Sequence, residues 1–286
     1  MTDQLEGLSA WIGRVEERHD FSAPAPAQAL AALLDHDAVS VDFGDALPPG
    51  AQWLYFLPMP RQSEIGDDGH PRRGGFLPPV PLPRRMWAGS RIRFLQPILV
   101  GRVITRTSRI ADVSVKSGKS GTLVFVKVLH EIRDDTGVLI EEEQDIVYRD
   151  APKPGATVAP ASVAVQAETP DWSREIVPTE VLLFRYSALT LNGHRIHYDR
   201  PYATQAEGYP GLVVHGPLIA TLLLDLLRRN RPEATVREFS FKAVSPLFDL
   251  AGFKVCGRAL DGGKHFRLWA EGPGGQLAME AGATVD

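Results

Sequence analysis

The run between Leu218 and Leu227 constrains the fold more than any other stretch of the sequence. Eight of its ten positions are apolar, and its only charged residue is Asp225. A helix that is apolar on nearly all sides must be enclosed by other parts of the protein. At ~1.5 Å of rise per residue, a helix over roughly residues 215–229 is ~22 Å long, which is too short to cross a bilayer. The run therefore predicts a buried helix, which Pro232 terminates.

Strand patterns flank this helix in the sequence. They are separated by turn signals, such as those at 134–137 and 261–263, with no room for helices between them. Strand following strand in this way implies an antiparallel sheet. The predicted elements are a β pattern from about residue 90, strands over 101–115, 121–133, 138–149, 235–244, 252–260, 264–271 and 277–285, and short helices over 8–19 and 26–36.

A long buried helix wrapped by an antiparallel sheet, in two successive halves, is the α+β architecture of a tandem (double) hotdog. Residues 151–170 are rich in proline and small residues and are predicted to link an N-terminal hotdog (1–150) to a C-terminal hotdog (171–286). Residues 58–85 contain seven prolines and four glycines. Long irregular segments of this kind in compact domains are usually either functional or disordered.

The bulk composition excludes several function classes. A formal charge of −4 and a pI near 6.1 leave no electrostatic footprint for nucleic acid or an anionic membrane. The single cysteine, Cys256, excludes an intramolecular disulfide framework and any cysteine-based zinc site. The first residues show no secretory signal, and no uninterrupted apolar stretch reaches ~18 residues. We therefore expect a soluble, cytoplasmic protein with no nucleic-acid or membrane partner.

The polar residues of chemical interest concentrate in segment 184–199, which reads Phe-Arg-Tyr-Ser-Ala-Leu-Thr-Leu-Asn-Gly-His-Arg-Ile-His-Tyr-Asp. It gathers an amide, two imidazoles, a phenol and a carboxylate. Further on, residues 211–217 read Gly-Leu-Val-Val-His-Gly-Pro and open the apolar helix. The first segment offers groups that handle water and protons, and the helix N-terminus offers backbone N–H groups to a carbonyl oxygen. Thioester chemistry requires this combination.

These two segments closely resemble the MaoC-like hydratases and dehydratases. Within that family the chain looks most like the double-hotdog subgroup of mesaconyl- and itaconyl-CoA hydratases and mitochondrial-type 3-hydroxyacyl-thioester dehydratases. The resemblance is carried by Arg-Tyr-Ser-Ala at 185–188, His-Arg-Ile-His-Tyr-Asp at 194–199 and Gly-Tyr-Pro-Gly-Leu-Val-Val-His-Gly-Pro at 208–217. Residues 76–89, Phe-Leu-Pro-Pro-Val-Pro-Leu-Pro-Arg-Arg-Met-Trp-Ala-Gly, look like the same subgroup, so the resemblance covers most of the chain.

The resemblance implies three catalytic residues. In the R-specific enoyl-CoA hydratases of the family, an Asp is followed by an Asn two residues on and by a His three beyond that. His197 falls on the His, His194 on the Asn and Asn192 on the Asp. Asn192 can orient a water but cannot act as a base at neutral pH, which leaves His197 as the general base. The Gly216 N–H at the start of the buried helix would stabilise the enolate-like thioester oxygen.

The resemblance also implies a set of substrate-binding residues. For several of them the alternative is a structural or solvent-exposed role. Arg84 and Arg85 meet the phosphates of coenzyme A, a substrate carboxylate, or solvent alone. Trp87 packs under an acyl or adenine group, or in the core. The expected set is Tyr186, His194, Val214, His215, Arg84, Arg85 and Trp87. No cofactor is expected, and no metal, because the spacing of His194 and His197 suggests no convincing third ligand.

The sequence thus predicts one active site, in the C-terminal hotdog, that reversibly hydrates an α,β-unsaturated acyl thioester of coenzyme A or an acyl carrier protein. The resemblance favours a short branched dicarboxylic group, mesaconyl-C4-CoA or itaconyl-CoA giving citramalyl-CoA. The N-terminal hotdog is expected to be structural and to form part of the CoA channel, and formation of a homodimer is left open. The alternatives are a 3-hydroxyacyl-thioester dehydratase of fatty acid synthesis, a hotdog thioesterase and a non-catalytic acyl-binding subunit.

Overall fold

A single ten-stranded antiparallel sheet runs through the part of the chain that the computed structural model describes, which is residue 5 and residues 7–37, 41–118, 121–150 and 169–286. The strands are β1 (Val15–Phe21), β2 (Arg84–Phe94), β3 (Val103–Gly118), β4 (Gly121–Asp134), β5 (Gly137–Arg149), β6 (Trp172–Ile176), β7 (Val236–Ala243), β8 (Phe253–Leu260), β9 (His265–Glu271) and β10 (Leu277–Val285). Their order is β1-β3-β4-β5-β2-β7-β10-β9-β8-β6, so the two halves join where β2 pairs with β7.

Three α-helices accompany the sheet in the described residues: α1 (Pro24–Leu33), α2 (Glu180–Leu189) and α3 (Gly216–Asn230). Helix α3 is the predicted apolar helix, and every residue from Leu218 to Leu227 is buried. It packs against strands of the second half and against β2 of the first. In the first half, α1 packs against α2 and against the 3-10 helix Ala51–Leu54. The long enclosed helix is thus α3, which has 15 residues, whereas α1 has ten and buries only Ala27, Leu30 and Leu33.

The strand predictions from residue 101 onward agree with the structure to within a few residues, and β2 begins six residues before the predicted start of the β pattern at 90. Three elements were misassigned or missed: β1, α2 and the short strand β6. Residues 8–19 do not form a helix: a 3-10 helix covers Gly7–Trp11, and β1 follows. Strand β1 is polar at five of seven positions and has little apolar periodicity, so its pairing with β3 decides its conformation. Helix α2 was not predicted; its N-cap Thr179 accepts a hydrogen bond from the Leu182 N–H at 3.1 Å. The polar segment therefore begins on a helix rather than a strand.

Asp225, the single charge within the apolar run, is almost completely buried and serves as an anchor for α3. His36 Nε2 lies 2.5 Å from one carboxylate oxygen. Arg174 of β6 and Arg229 of α3 donate to the other at 3.1 and 2.7 Å. Both arginines also donate to the Leu34 carbonyl just after α1. One carboxylate therefore ties α3 to β6 and to the C-terminal end of α1.

The predicted linker, 151–170, falls almost entirely outside the described residues, and the boundaries at 150 and 171 stay predictions. Among the described residues, no helix combines the length and apolar character needed to traverse a bilayer.

Candidate active site

A cavity of about 1080 Å³ is lined by residues from both halves of the chain. The C-terminal half contributes the polar segment and the N-terminal end of α3. The first half contributes the proline-rich segment and the inner faces of β2, β4 and β5. The sequence-predicted site residues His197, Asn192, Gly216, Tyr186, His194, Val214, Arg84, Arg85 and Trp87 all line this cavity, and His215 lies directly beside it. The fold thus brings the whole predicted set together.

His197 has the geometry of a general base. It ends the 3-10 helix Arg195–His197 and is 7% exposed. Its Nδ1 lies 2.7 Å from the Val213 carbonyl oxygen, which can only accept, so Nδ1 carries the proton and Nε2 presents a lone pair. Burial, reinforced by the nearby His70, lowers the pKa of His197 to about 4. The imidazole is therefore neutral at pH 7 and ready to accept a proton.

His215 supports the His197 ring from one side. The two rings stack with centroids 3.6 Å apart and planes at 18°. The Ser187 hydroxyl lies 2.8 Å from His215 Nε2, and Tyr186 packs edge-on against the same ring at 5.0 Å. Burial, with help from His197 and His194, holds the pKa of His215 well below its usual range. Tyr186 is itself almost fully buried, with its ring packed on that of His215.

The N-terminus of α3 supplies a free backbone donor next to this pair of rings. Gly216 is the first residue of the helix, and N–H groups of the first turn have no intrahelical acceptor. They also carry the positive end of the helix dipole. A Cβ built on Gly216 would meet only the Trp87 carbonyl, at 3.9 Å, so the space above the glycine is open. The helix N-terminus thus borders the cavity with N–H groups that have no intrahelical acceptor.

The side-chain oxygen of Asn192 is already hydrogen-bonded within the protein. Its Oδ1 accepts a hydrogen bond from the His194 N–H at 3.1 Å, in a tight turn where Leu191 adopts a φ of 48°. The amide oxygen thus shapes the loop that carries His194. The Asn192 NH₂ group is left to donate to a water or to the substrate.

The two adjacent arginines have different environments. Arg84 is buried, forms a salt bridge of 3.0 Å with Glu207 and lies over the Tyr209 ring at 4.8 Å. It therefore fastens β2 to the segment after residue 206, and is no solvated surface cation. Arg85 is half-buried and faces the cavity. Trp87 is held by hydrogen bonds from its Nε1 to the Gly89 carbonyl and the Ser90 hydroxyl, and it packs edge-on against Trp53 at 5.3 Å.

Two residues of the first half, Asp68 and His70, reach the site and were missed in the sequence. The His70 and His194 ring centroids lie 4.0 Å apart, and His194 meets His197 edge-on at 5.4 Å. Asp68 accepts from the His70 N–H at 2.9 Å and lies 3.2 Å from its Nδ1. The contact is fixed by long-range packing, since the Arg195 N–H donates to the Asp68 carbonyl. No local pattern encodes it; the proline-rich loop was the only signal available.

Close backbone contact explains how this loop docks. Gly69 has a φ of 88°, and a Cβ built there would lie 1.8 Å from the Gly193 carbonyl oxygen, so only glycine fits. Arg195 adds a hydrogen bond from Nη1 to the Asp67 carbonyl at 2.9 Å. The loop of the first half is thereby locked onto the loop that precedes His197.

The buried histidines predict acid sensitivity of the fold. Burial lowers the pKa of His197 to about 4, and burial and Arg106 do the same for His130 on β4. An unfolded histidine titrates near ~6.5. Between pH 6.5 and 4 the unfolded chain binds protons that the folded chain does not, so the free energy of unfolding falls as the pH falls. Each group contributes up to roughly 3 kcal/mol of this loss, and none above pH 6.5.

Urea unfolding between pH 7.5 and 4.5 measures this loss. His130→Gln, which keeps a polar group beside Ser108 and Gln144, should make the slope against pH shallower. The exposed His265→Gln should leave it unchanged. A His130 variant with the full wild-type slope would contradict the assignment.

Sequence comparisons relate the chain to known proteins. The model of the family "Hydroxyacyl-thioester dehydratase type 2" matches residues 50–249. The chain is 49% identical over 273 residues to the mesaconyl-C(4)-CoA hydratase of Chloroflexus aurantiacus, covering 95% of each protein. It is 30% identical over 267 residues to the mitochondrial hydroxyacyl-thioester dehydratase type 2 of Schizosaccharomyces pombe, covering 83% of this chain and 88% of that protein.

Solved structures agree on the architecture. A MaoC-like dehydratase superimposes with a TM-score of 0.72 at 13% identity, covering 97% of this chain and 99% of the other. A Mycobacterium tuberculosis protein described as having a double hotdog fold superimposes with a TM-score of 0.59 at 14% identity, covering 99% and 98%. At identities this low, structural similarity shows the fold alone. The two superpositions confirm the predicted tandem hotdog.

Proposed function

Since the chain belongs to the hydroxyacyl-thioester dehydratase type 2 family of MaoC-like double hotdogs, we propose that it is a hydro-lyase acting on an α,β-unsaturated acyl-CoA. The observation that carries the proposal is the pairing of a neutral His197, whose tautomer leaves Nε2 free, with the open N–H of Gly216. The substrate that this proposal favours is mesaconyl-C4-CoA, on the strength of the relative that shares 49% of the aligned residues.

The chemistry follows from these two groups. His197 Nε2 takes a proton from a water, and the water oxygen bonds to the β-carbon. The π electrons of the double bond move toward the thioester, so negative charge builds on the thioester oxygen, where the Gly216 N–H stabilises it. A donor aimed at developing charge is typically worth about 3 kcal/mol. The His197 imidazolium then returns its proton to the α-carbon, and the reverse sequence is dehydration.

The other site residues have supporting roles in this proposal. Asn192 donates to the attacking water, and His194 lies between His197 and the first-half loop. Val214, Tyr186 and His215 form the wall behind the base. Trp87 borders the acyl group, and Arg84 keeps the first half in place beside the CoA channel. The C-terminal half, 171–286, holds the base and the oxyanion donor, while the first half completes the cavity.

The alternative within the same chemistry is dehydration of a 3-hydroxyacyl thioester in fatty acid synthesis. The family description and the relative that is 30% identical favour it. A cytoplasmic location, a homodimer, and acyl carrier protein in place of CoA stay predictions.

A hydration assay in heavy-oxygen water tests the proposal. The enzyme is incubated separately with crotonyl-CoA, mesaconyl-C4-CoA and itaconyl-CoA, and the products are analysed by mass spectrometry. We expect mesaconyl-C4-CoA to gain one water, with the label on a β-hydroxyl group. Free CoA with a labelled carboxylic acid would instead identify a thioesterase. No product from any of the three would contradict the proposal and favour acyl binding without turnover.

A further inference from the structure

A carboxylate–imidazole pair, Asp68 and His70, lines the cavity, and the chemistry of His197 and Gly216 makes no use of it. Both oxygens of Asp68 are directed at His70. One accepts a hydrogen bond from the backbone N–H at 2.9 Å, and the other lies 3.2 Å from the ring nitrogen Nδ1. The carboxylate therefore fixes the rotation of this imidazole within a loop that is itself docked against Gly193.

The tautomer of His70 follows from this pairing. Burial raises the pKa of Asp68, but the hydrogen bonds from His70 outweigh it and hold that pKa below its usual range. An ionised carboxylate only accepts, so Nδ1 carries the proton and Nε2 a lone pair. Burial also lowers the pKa of His70, so the ring is neutral at pH 7. Nε2 has no hydrogen-bond partner among the described residues and belongs to a side chain that lines the cavity.

His70 thus repeats the arrangement of His197, whose Nδ1 is fixed on the Val213 carbonyl and whose Nε2 is free. His194 contacts both rings, with its centroid 4.0 Å from that of His70 and 5.4 Å from that of His197. Besides burial, the proximity of His70 lowers the pKa of His197. Two neutral imidazoles, one from each half of the chain, therefore present acceptor nitrogens to the same cavity.

The reacting water needs two acceptors, because it carries two hydrogens. His197 takes one of them as a proton. The Oδ1 of Asn192 is occupied by the His194 N–H at 3.1 Å, which leaves the NH₂ group, and that group only donates. Among the described residues, no hydrogen bond fixes the tautomer of the His194 ring, whereas Asp68 fixes that of His70. His70 Nε2 is thus the preorganised acceptor for the second hydrogen.

The same cluster is poorly suited to a metal ion. Asp68, His70 and His194 each offer one donor atom, all within 4.8 Å of one another, as a metal site would require. Both Asp68 oxygens are, however, already directed at N–H groups of His70. Besides burial, the charge of Arg85 lowers the pKa of both imidazoles, and the same charge disfavours a divalent cation beside them.

We propose that His70 is a second catalytic residue, whose Nε2 accepts a hydrogen bond from the hydrogen that stays on the water oxygen. The inference rests on the proposed hydratase function. His197 Nε2 takes the other hydrogen as a proton, the oxygen bonds to the β-carbon, and the hydrogen held by His70 becomes that of the β-hydroxyl group. In dehydration the β-hydroxyl donates to His70, while its oxygen takes a proton from the His197 imidazolium and leaves as water. Asp68 is a positioning residue, which holds His70 in the required tautomer.

Asp68→Asn tests the tautomer without changing the shape of the side chain. The backbone N–H of His70 can only donate, so the amide oxygen faces it and the NH₂ group faces Nδ1. Nδ1 must then present a lone pair, and the proton moves to Nε2, which becomes a donor. We expect kcat for the preferred CoA ester to fall roughly tenfold or more, the worth of one hydrogen bond, with KM within about threefold of the wild type.

Substitutions of His70 itself separate acceptance from packing. His70→Phe keeps a ring against His194 and removes both nitrogens, so kcat should fall at least as far as in Asp68→Asn. His70→Gln carries an amide oxygen that can accept, and it should retain more activity than His70→Phe. Because Asp68 acts through His70, the double variant Asp68→Asn/His70→Phe should be no slower than His70→Phe alone.

Asp67→Asn is the matched control, since it makes the same change at the exposed neighbouring residue and should keep full activity. Thermal unfolding shows whether each variant is folded. Values of kcat within about threefold of the wild type for both Asp68→Asn and His70→Phe would overturn the inference and leave hydration intact. Losses that appear only in KM, or that add in the double variant, would also overturn it.

Two further outcomes have separate meanings. If a chelator abolished the wild-type activity and Zn²⁺ restored it, the inference would be overturned in favour of a metal site at Asp68, His70 and His194. A wild-type enzyme that hydrates none of the three CoA esters would instead refute the proposed function.

Discussion

Replacing His197 by alanine is expected to lower the rate of hydration by at least ~100-fold, because it removes the imidazole whose Nδ1 is fixed on the Val213 carbonyl and whose Nε2 is left as the base. Binding of an acyl-CoA should persist, since the cavity and the helix N-terminus remain. His197→Gln should be equally inactive, because an amide can orient a water but cannot accept its proton at neutral pH.

Steady-state hydration of the preferred substrate, with acyl-CoA affinity measured by calorimetry, separates these effects. His265→Ala, at an exposed position of β9, is the matched control and should keep full activity. If His197→Ala kept more than about a tenth of the wild-type rate, another residue would have to be the base, because removal of a general base typically costs 10²–10⁴-fold.

The largest effect on stability is expected at Asp225. Its carboxylate is 2% exposed and partners His36, Arg174 and Arg229. Asp225→Ala leaves two guanidinium groups without their anion at a buried site, which typically costs about 3–5 kcal/mol of the free energy of unfolding. For a chain of this size the midpoint of thermal unfolding should fall by roughly 10 °C. Asp225→Asn keeps the shape of the side chain, so its midpoint of thermal unfolding should lie between those of the wild type and Asp225→Ala.

Thermal and urea unfolding at pH 7 measure this change. Asp112→Ala on the exposed face of β3 is the control and should stay within about 0.5 kcal/mol of the wild type. If the midpoint of thermal unfolding of Asp225→Ala were close to that of Asp112→Ala, solvent would be able to replace the Asp225 carboxylate at the end of α1.

Features that depend on local periodicity were predictable from the sequence. Helix α3 and strands β7 to β10 begin and end within about two residues of their predicted limits. A nearly all-apolar run predicts a buried helix, and alternating runs bounded by turns predict strands. Strand β1 was misassigned for the opposite reason: Val15–Phe21 is mostly polar, and its structure depends on a partner that lies far away in the sequence.

The candidate site was predictable where its residues fall in continuous segments that resemble the family, including residues 76–89 of the first half. The motif from Asn192 to His197 lies in one continuous segment, and the helix start at Gly216 lies in another. Their resemblance to a family could therefore be recognised from the sequence. Asp68 and His70 reach the site through a contact between Gly69 and Gly193 that no spacing rule describes. The partnership of Arg84 with Glu207 is likewise a result of tertiary packing.

The continuous sheet has a consequence for how copies of this chain meet one another. Because β2 pairs with β7, the ten-stranded sheet of the described residues has two outer strands, β1 and β6. Unpaired strand edges recruit other strands and promote aggregation. β1 carries five consecutive ionisable side chains, Glu-Glu-Arg-His-Asp, and β6 is five residues long. Both ends of the sheet are thus poor templates, and the fusion of two hotdogs removes the inner edges that separate domains would expose.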